Sequence, residues 1–464
     1  MFSAIKNLNA GFGKTKLEDG QDVAAPKVKI KVKTPVVSVD ENQGALSASA
    51  IVSPQSAQTF SATDKVQREL ALEQMASIVR LVDALVESAQ EQGASDLHLD
   101  PEDSRVMVRF RVDGVLRDAY QLAKSMHDEV ISRIKILGGL RTDEHQTAQD
   151  GRFRMTFESK QRIDVRVSIV PTYYGENAVL RLLSDTSQEF TLDALGFSPD
   201  NQEKIKYAIK KPYGMILATG PTGSGKTTTL YTLIKMLNDR DTSIITIEDP
   251  IEYSVAGINQ IQVNARTGLT FANGLRSVLR QDPNIIMVGE IRDQETAALA
   301  VNTALTGHLV LSTLHTNDAP TTLPRLLDMK VEPYLIASTM NIAIGQRLVR
   351  KICENCKVQK KMSATEIKSL SQNIPAELFA KHKVFYFGQG CDKCANSGYS
   401  GRVGIHEVLV MDAAVREAVL RKVPAEEIRK IAVSEGMTTM VEDGFAKAAA
   451  GLTTIEEVLR MLHE

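Results

Sequence analysis

Residues 214–237 read GMILATGPTGSGKTTTLYTLIKML, and the order of features in this stretch decides the fold. An apolar strand candidate, MILAT, runs into Gly220-Pro221-Thr222-Gly223-Ser224-Gly225-Lys226-Thr227-Thr228, and a helix-forming segment follows. This is G-x-x-x-x-G-K-[ST] in the strand-loop-helix setting the motif requires, so a chance glycine-rich turn accounts for it poorly. The glycines let backbone N–H groups approach phosphate oxygens, and the following helix adds the positive end of its dipole. Lys226 supplies countercharge to the β- and γ-phosphates of a bound nucleotide, and Thr227 is the expected Mg²⁺ ligand.

Downstream, over 211–350, the apolar runs SIITIE, NIIMVG and HLVLSTL alternate with helix-length segments. That alternation predicts a parallel sheet with crossover helices, an α/β core. Carboxyl ends of parallel strands converge on the crevice where a phosphate loop sits. Hydrolysis there needs a positioned water, a carboxylate near the metal and countercharge. SIITIEDPIEY places Glu248 and Asp249 after one strand, and NIIMVGEIRD places Glu290 and Asp293 after another. Glu248 is expected to orient or activate the attacking water. Glu290 follows Gly289 where an ordinary Walker B strand carries Asp, so its expected metal contact runs through water. For Asp249, Glu252 and Asp293 a surface or helix-capping role competes strongly.

HLVLSTLHTN carries His308 and His315, an odd separation that puts them on opposite faces of one strand and argues against joint metal ligation. Three roles are open to His315: sensing the γ-phosphate, hydrogen-bonding a catalytic carboxylate, or a structural contact. Arg276 and Arg280 lie four apart on one helix face, and Arg292 follows Glu290. Arg166 in DVRVS and Arg181 in VLRLL lie on upstream strand candidates. Such arginines suit a site completed by closure across a domain or subunit boundary, with a surface ion pair as the default alternative for each.

Residues 1–68 read as a mostly disordered leader, without arginine up to residue 65 and without an aromatic residue between Phe12 and Phe60. Phe2, Ile5, Leu8 and Phe12 could line one face of a short helix, and Lys27–Lys33 alternates lysine with Val or Ile. Over 69–190 the pattern predicts an α+β domain with an antiparallel sheet. Its first helix carries the stripe Met75, Ile78, Val79, Val82 and Val86, and Asp113-Gly114 marks a hairpin. A linker is expected over 191–210, where Gly and Pro cluster, and a helical C-terminal segment over 411–464.

All four cysteines fall in two C-x-x-C pairs, Cys353/Cys356 and Cys391/Cys394, within an expected subdomain over 351–410. Two such knuckles suit a tetrahedral Cys₄ structural Zn²⁺, with a redox dithiol or unmetallated knuckles as alternatives. A formal charge of −2, from 55 Lys+Arg against 57 Asp+Glu, excludes a chain-wide electrostatic footprint for nucleic acid or anionic membrane. No apolar run reaches the length of a membrane span, and a cytoplasmic location is expected.

GPTGSGKTTTLY, TIEDPIEY, GEIRDQETA and TGHLVLSTLHTN, with ASDLHLDP and RVDGVL upstream, resemble the secretion ATPase superfamily of type II secretion and type IV pilus assembly over about residues 70–464. The resemblance implies a RecA-like P-loop ATPase domain preceded by a smaller α+β (PAS-like) domain. It implies that the first four motifs are Walker A, Asp box, atypical Walker B and His box. By it, Glu248 and Glu290 serve hydrolysis, His315 belongs to the His box, and Arg166, Arg181, Arg276, Arg280 and Arg292 match functional arginines. It further implies a homohexameric ring, peripheral to the inner membrane, that drives a membrane platform protein. The cysteine insertion resembles assembly and export ATPases and is missing from retraction ATPases. Many assembly ATPases carry a folded extra N-terminal domain that docks on an inner-membrane partner or binds a cyclic dinucleotide; only about 70 residues precede the shared region here, which leaves Phe2–Phe12 as the substitute anchor.

Three other readings compete: a RecA-like nucleic-acid motor, a retraction-type pilus ATPase, and a scaffold that binds ATP without turnover. Balanced charge, the absence of Trp and the lack of a basic-aromatic platform weigh against the first, so no direct nucleic-acid partner is expected. Intact Lys226, Glu248 and Glu290 weigh against the third.

Overall fold

The structure, a computed structural model, describes residues 61–71, 77–157, 162–184, 191–363, 379 and 384–463. The expected anchor Phe2–Phe12 and the alternating Lys27–Lys33 stretch lie outside these residues. The described residues belong to one compact unit.

Two helices, α1 (Ala62–Ala71) and α2 (Ile78–Glu91), precede three strands, β1 (Ala94–Pro101), β2 (Arg105–Val112) and β3 (Val115–Ala123). Helix α3 (His127–Gly138) and strands β4 (Gln149–Thr156), β5 (Arg162–Thr172) and β6 (Gly175–Ser184) complete this part. The strands form one antiparallel sheet in the order β3-β2-β1-β6-β5-β4. Alternation along β5 buries Ile163, Val165, Val167 and Ile169 against α2 and α3, leaving Arg162, Asp164, Arg166 and Ser168 on the other face. The Asp113-Gly114 hairpin turn is present, with Asp113 at φ 51° and Gly114 at φ 83°. Met75 of the expected stripe lies outside the described residues, and along α2 the stripe is rotated: Val79 is half exposed, and Leu81 and Leu85 join Val82 and Val86 in the core. Helix α1 begins inside the expected leader 1–68, with Val66 fully buried. Its largely polar sequence ATDKVQRELA hides a narrow apolar stripe, Val66 and Leu70, packed on the same core.

The expected linker 191–210 contains a helix, α4 (Pro199–Ile209), capped by Ser198 and opened by proline at its first position. Seven strands then form the main sheet. They are β7 (Gly214–Thr219), β8 (Ile244–Glu248), β9 (Asn259–Gln262), β10 (Ile285–Val288), β11 (Leu309–Leu314), β12 (Met340–Ile352) and β15 (Tyr399–Val410), in the order β15-β12-β7-β11-β10-β8-β9. All pairings are parallel except β12 with β15. The four strands read from sequence are buried on both faces, which explains their unbroken apolar runs. One face packs α4 and α5 (Lys226–Leu237) through Ile205, Leu230 and Leu233. The other packs α6 (Phe271–Val278), α7 (Gln294–Leu305), α8 (Thr322–Asp328), α9 (Pro333–Thr339), α10 (Ala413–Leu420) and α11 (Ala425–Ser434).

The boundary 351–410 changes accordingly. Strand β15 completes the main sheet, and the cysteine lobe is confined to the chain between β12 and β15, including the two-stranded antiparallel sheet of β13 (Lys357–Lys361) and β14 (Val384–Gly388). Helices α12 (Met440–Ala449) and α13 (Ile455–His463) support it: Phe445 meets Phe385 edge-on, ring centroids 5.3 Å apart. Among the described residues no helix is long and apolar enough to cross a membrane.

Candidate active site

The carboxyl end of β7 delivers Thr219 into the glycine loop, and α5 begins at Lys226. Gly220, Gly223 and Gly225 all have positive φ, at 147°, 80° and 86°, a backbone form that favours glycine and turns the loop under the helix N-terminus. Lys226 Nζ donates to the Gly220 and Pro221 carbonyls, each at 2.9 Å. Burial lowers the Lys226 pKa, with Glu290 opposing that shift and Arg347 adding to it. Thr222, Thr227 and Thr228 border the same crevice, which measures about 1030 Å³.

Two carboxylates enter it from neighbouring strand ends. Glu248 is only 2% exposed. Its carboxylate accepts from Tyr231 Oη, from Thr246 Oγ1 at 2.6 Å and from Gln260 Nε2 at 3.1 Å. Burial, followed by the Glu248 charge, raises Tyr231 far above the ordinary phenol range, and the same causes push Tyr253 up to about 12. Both phenols therefore stay protonated, and Tyr231 remains a donor to Glu248. Glu290 lies beside Lys226 and accepts from Arg292 at 2.5 Å, with His315 Nε2 3.3 Å from its other oxygen. Burial works to raise the Glu290 pKa; the bond and charge of Arg292 and the contact of His315 outweigh it, so the carboxyl titrates below its usual range. Of the three roles open to His315, a contact with a carboxylate is the one present here. His308 Nδ1 faces the Thr303 carbonyl at 3.1 Å, a structural contact. Asp293 caps α7, accepting from Thr296 N, and Asp249 lies 3.9 Å from Arg292.

The remaining wall comes from the antiparallel sheet. Its polar face carries Arg111, Asp96, Arg181, Arg166 and Arg152 opposite one another on five adjacent strands. Asp96 accepts from Arg181 at 3.0 Å and lies 3.6 Å from Arg111. Arg166 donates to the Ile251 carbonyl at 2.9 Å and pairs with Glu252 at 3.2 Å, tying the sheet to the segment after Glu248. Asp96, Arg111 and Arg181 line the crevice together with the glycine loop. Arg276 pairs with Glu295, and Arg280 donates to the Arg276 carbonyl at 2.9 Å; neither lines the crevice. Sequence reasoning missed Tyr231, Gln260, Asp96 and Arg111. The first two have no motif, whereas Asp96 and Arg111 flank a strand pair whose period-2 alternation could have put them on the face of Arg181.

The four cysteine sulfurs lie within 4.8 Å of one another. Cys353–Cys391 and Cys356–Cys394 are each 3.9 Å apart, and Cys391–Cys394 3.7 Å. A tetrahedron with metal–sulfur bonds of about 2.3 Å has edges of about 3.8 Å, so the donor set fits such an ion. Backbone N–H groups of Cys391 and Gly398 donate to Cys394 Sγ, each at 3.3 Å. Burial opposes the Cys394 thiolate, but these donors and the neighbouring thiols lower its pKa to about 6.

Comparison with known proteins identifies this arrangement. The family described as Type II/IV secretion system protein matches residues 71–460. Similar proteins include the type IV pilus assembly ATPase PilB of Thermus thermophilus, 47% identical over 86% of this chain and 44% of that protein. Type II secretion system protein E of Xanthomonas campestris is 47% identical over 87% of this chain and 70% of that protein. The chain thus spans under half of the Thermus relative. Among solved structures, the pilus retraction motor PilT with bound ADP is 26% identical, with a TM-score of 0.55 over 81% of this chain and 95% of that one. The chain belongs to the Type II/IV secretion system protein family and is an ATP-hydrolysing enzyme.

Proposed function

We propose that the chain powers type IV pilus or type II secretion pseudopilus assembly, as a homohexamer on the cytoplasmic side of the inner membrane, acting on a membrane platform protein. The observation that carries this reading is that one crevice is lined by the glycine loop and by the arginine face of a separate sheet. A ligand bound between two such walls draws them together, and its release lets them part, which turns a nucleotide cycle into movement. The name of the Thermus relative, a type IV pilus assembly ATPase, supports assembly, as does the cysteine lobe by its resemblance to assembly and export ATPases.

Within this reading Gly220–Thr228 hold ATP, Lys226 neutralises the β- and γ-phosphates, and Thr227 ligates Mg²⁺. Glu248 activates the water, and Glu290, steadied by Arg292 and His315, would contact a bound Mg²⁺ through water. Arg166 and Arg181 bring countercharge from the N-terminal sheet. Arg276 and Arg280, outside their own crevice, serve that of a neighbouring subunit. Cys353, Cys356, Cys391 and Cys394 would hold a structural Zn²⁺, which would close the lobe and take no part in hydrolysis.

Size-exclusion fractions assayed for ATP turnover test this. A hexamer peak with higher specific activity is expected. Arg181→Ala is expected to lose turnover at least about tenfold, since guanidinium countercharge at a transferring phosphoryl group is worth more than that. ADP binding should stay within about threefold. Monomers of equal activity, indifferent to Arg181, would overturn the proposal.

A further inference from the structure

A loop whose N–H groups converge on phosphate turns its carbonyls outward, and in a buried place each of these needs a donor. Gln346 meets that need for Ser224. Its Nε2 donates to the Ser224 carbonyl at 2.6 Å, while its Oε1 accepts from Thr229 Oγ1, one turn into α5, at 2.8 Å. Gln346 is 2% exposed, so neither bond competes freely with water. Its place is set by register: Gly345 pairs with Thr219, the last residue of β7, so Gln346 sits where the chain leaves the sheet for the glycine loop. The loop also packs on Gln346 itself. A Cβ at Gly220 would lie 2.5 Å from the Gln346 carbonyl oxygen, and one at Gly225 would lie 3.2 Å from Nε2.

We propose that Gln346 is a positioning residue for nucleotide binding, one amide that fixes the glycine loop to the first turn of α5 and holds both against β12. Gln346 does not line the crevice; it acts through Ser224 and Thr229. A glutamine fits because one planar group must donate on one side and accept on the other. Glutamate keeps only the acceptor, and methionine keeps only the shape. The inference rests on the nucleotide-site reading of the crevice.

The test uses the 464-residue chain carrying Gln346→Met, Gln346→Glu, Thr229→Val or the Gln346→Met/Thr229→Val pair. It reads fluorescent-ADP affinity, the ADP-induced rise in melting temperature, and KM and kcat for ATP. Gln346→Met and Gln346→Glu are expected to weaken ADP binding roughly tenfold or more, and Thr229→Val roughly threefold. KM should rise in step while kcat stays within about threefold. The pair should lose no more than Gln346→Met alone, because both changes remove the same bond between loop and helix. Two results would overturn the proposal: a folded Gln346→Met chain with wild-type ADP affinity and ADP-induced shift, or losses that add fully in the pair. If Gln346→Met does not fold, Thr229→Val decides, and wild-type affinity there is the overturning result. A wild-type chain that binds no ADP would instead sink the nucleotide-site reading, and this inference with it.

Discussion

Glu248→Gln is expected to slow ATP turnover by at least about a hundredfold, the usual worth of a positioned general base, while ADP binding stays within about threefold. The structure makes this a sharp expectation. Tyr231 and Thr246 each give one hydroxyl donor to the carboxylate, and the Gln260 amide gives a third. Because burial and the Glu248 charge keep Tyr231 protonated, its donor is present at any physiological pH. The carboxylate is therefore aimed at one place in the crevice and cannot rotate without leaving buried donors unpaired. The Glu248→Gln amide keeps the shape, and the two hydroxyls can turn to accept from it, so the fold should survive. What is lost is the proton acceptor. Single-turnover hydrolysis with pre-bound ATP, set beside the melting temperature, separates chemistry from binding and folding. Turnover at the wild-type rate in Glu248→Gln would transfer the role to Glu290, whose own Glu290→Gln variant would then show the hundredfold loss.

The parts of this architecture that sequence alone could reveal are those written in local pattern. Four strands buried on both faces leave continuous apolar runs, and the glycine loop needs positive φ at fixed positions, so both are visible in single stretches. The cysteine pairs are equally legible because thiolate spacing follows ligand geometry. What escaped depends on distant partners. Strand β15 joins the main sheet through pairing with β12 some fifty residues earlier, across the cysteine lobe, and nothing local marks it as an edge strand. Helix α4 is obscured by Gly196 and by Pro199, which opens it behind the Ser198 cap. Gln346 sits in a strand that otherwise reads as core, and only the register of β12 against β7 brings it to the loop. Arg276 and Arg280 match the site only by type and resemblance, and a single chain places them on its outer surface.

Cys394→Ser is expected to abolish zinc binding, from about one ion per chain to essentially none, and to open the lobe around residues 353–399 to proteolysis. Among its described residues the lobe has little else to hold it. Its described sheet has two antiparallel strands of five residues each, marginal on their own in water. Its apolar anchoring is a small cluster in which Phe379 and Phe385 meet Phe445 and Ala448 of α12. Structural zinc contributes roughly 10–16 kcal/mol in small metal-folded peptides, far more than such a cluster can replace. Cys394 is the informative position because two backbone N–H donors converge on its sulfur and bind the 391–398 turn around it. Serine keeps the size but offers a poor zinc ligand, so the loss should be specific to the metal. The effect should also stay local: β12 and β15 are held by ten pairs of facing residues and by the main sheet, and ADP binding should remain within about threefold. Zinc quantified by mass spectrometry, limited proteolysis mapped along the chain, and ADP affinity on one preparation check all three parts. A wild-type chain purified under reducing conditions without metal, yet as protease-resistant as one loaded with zinc, would show that packing alone closes the lobe.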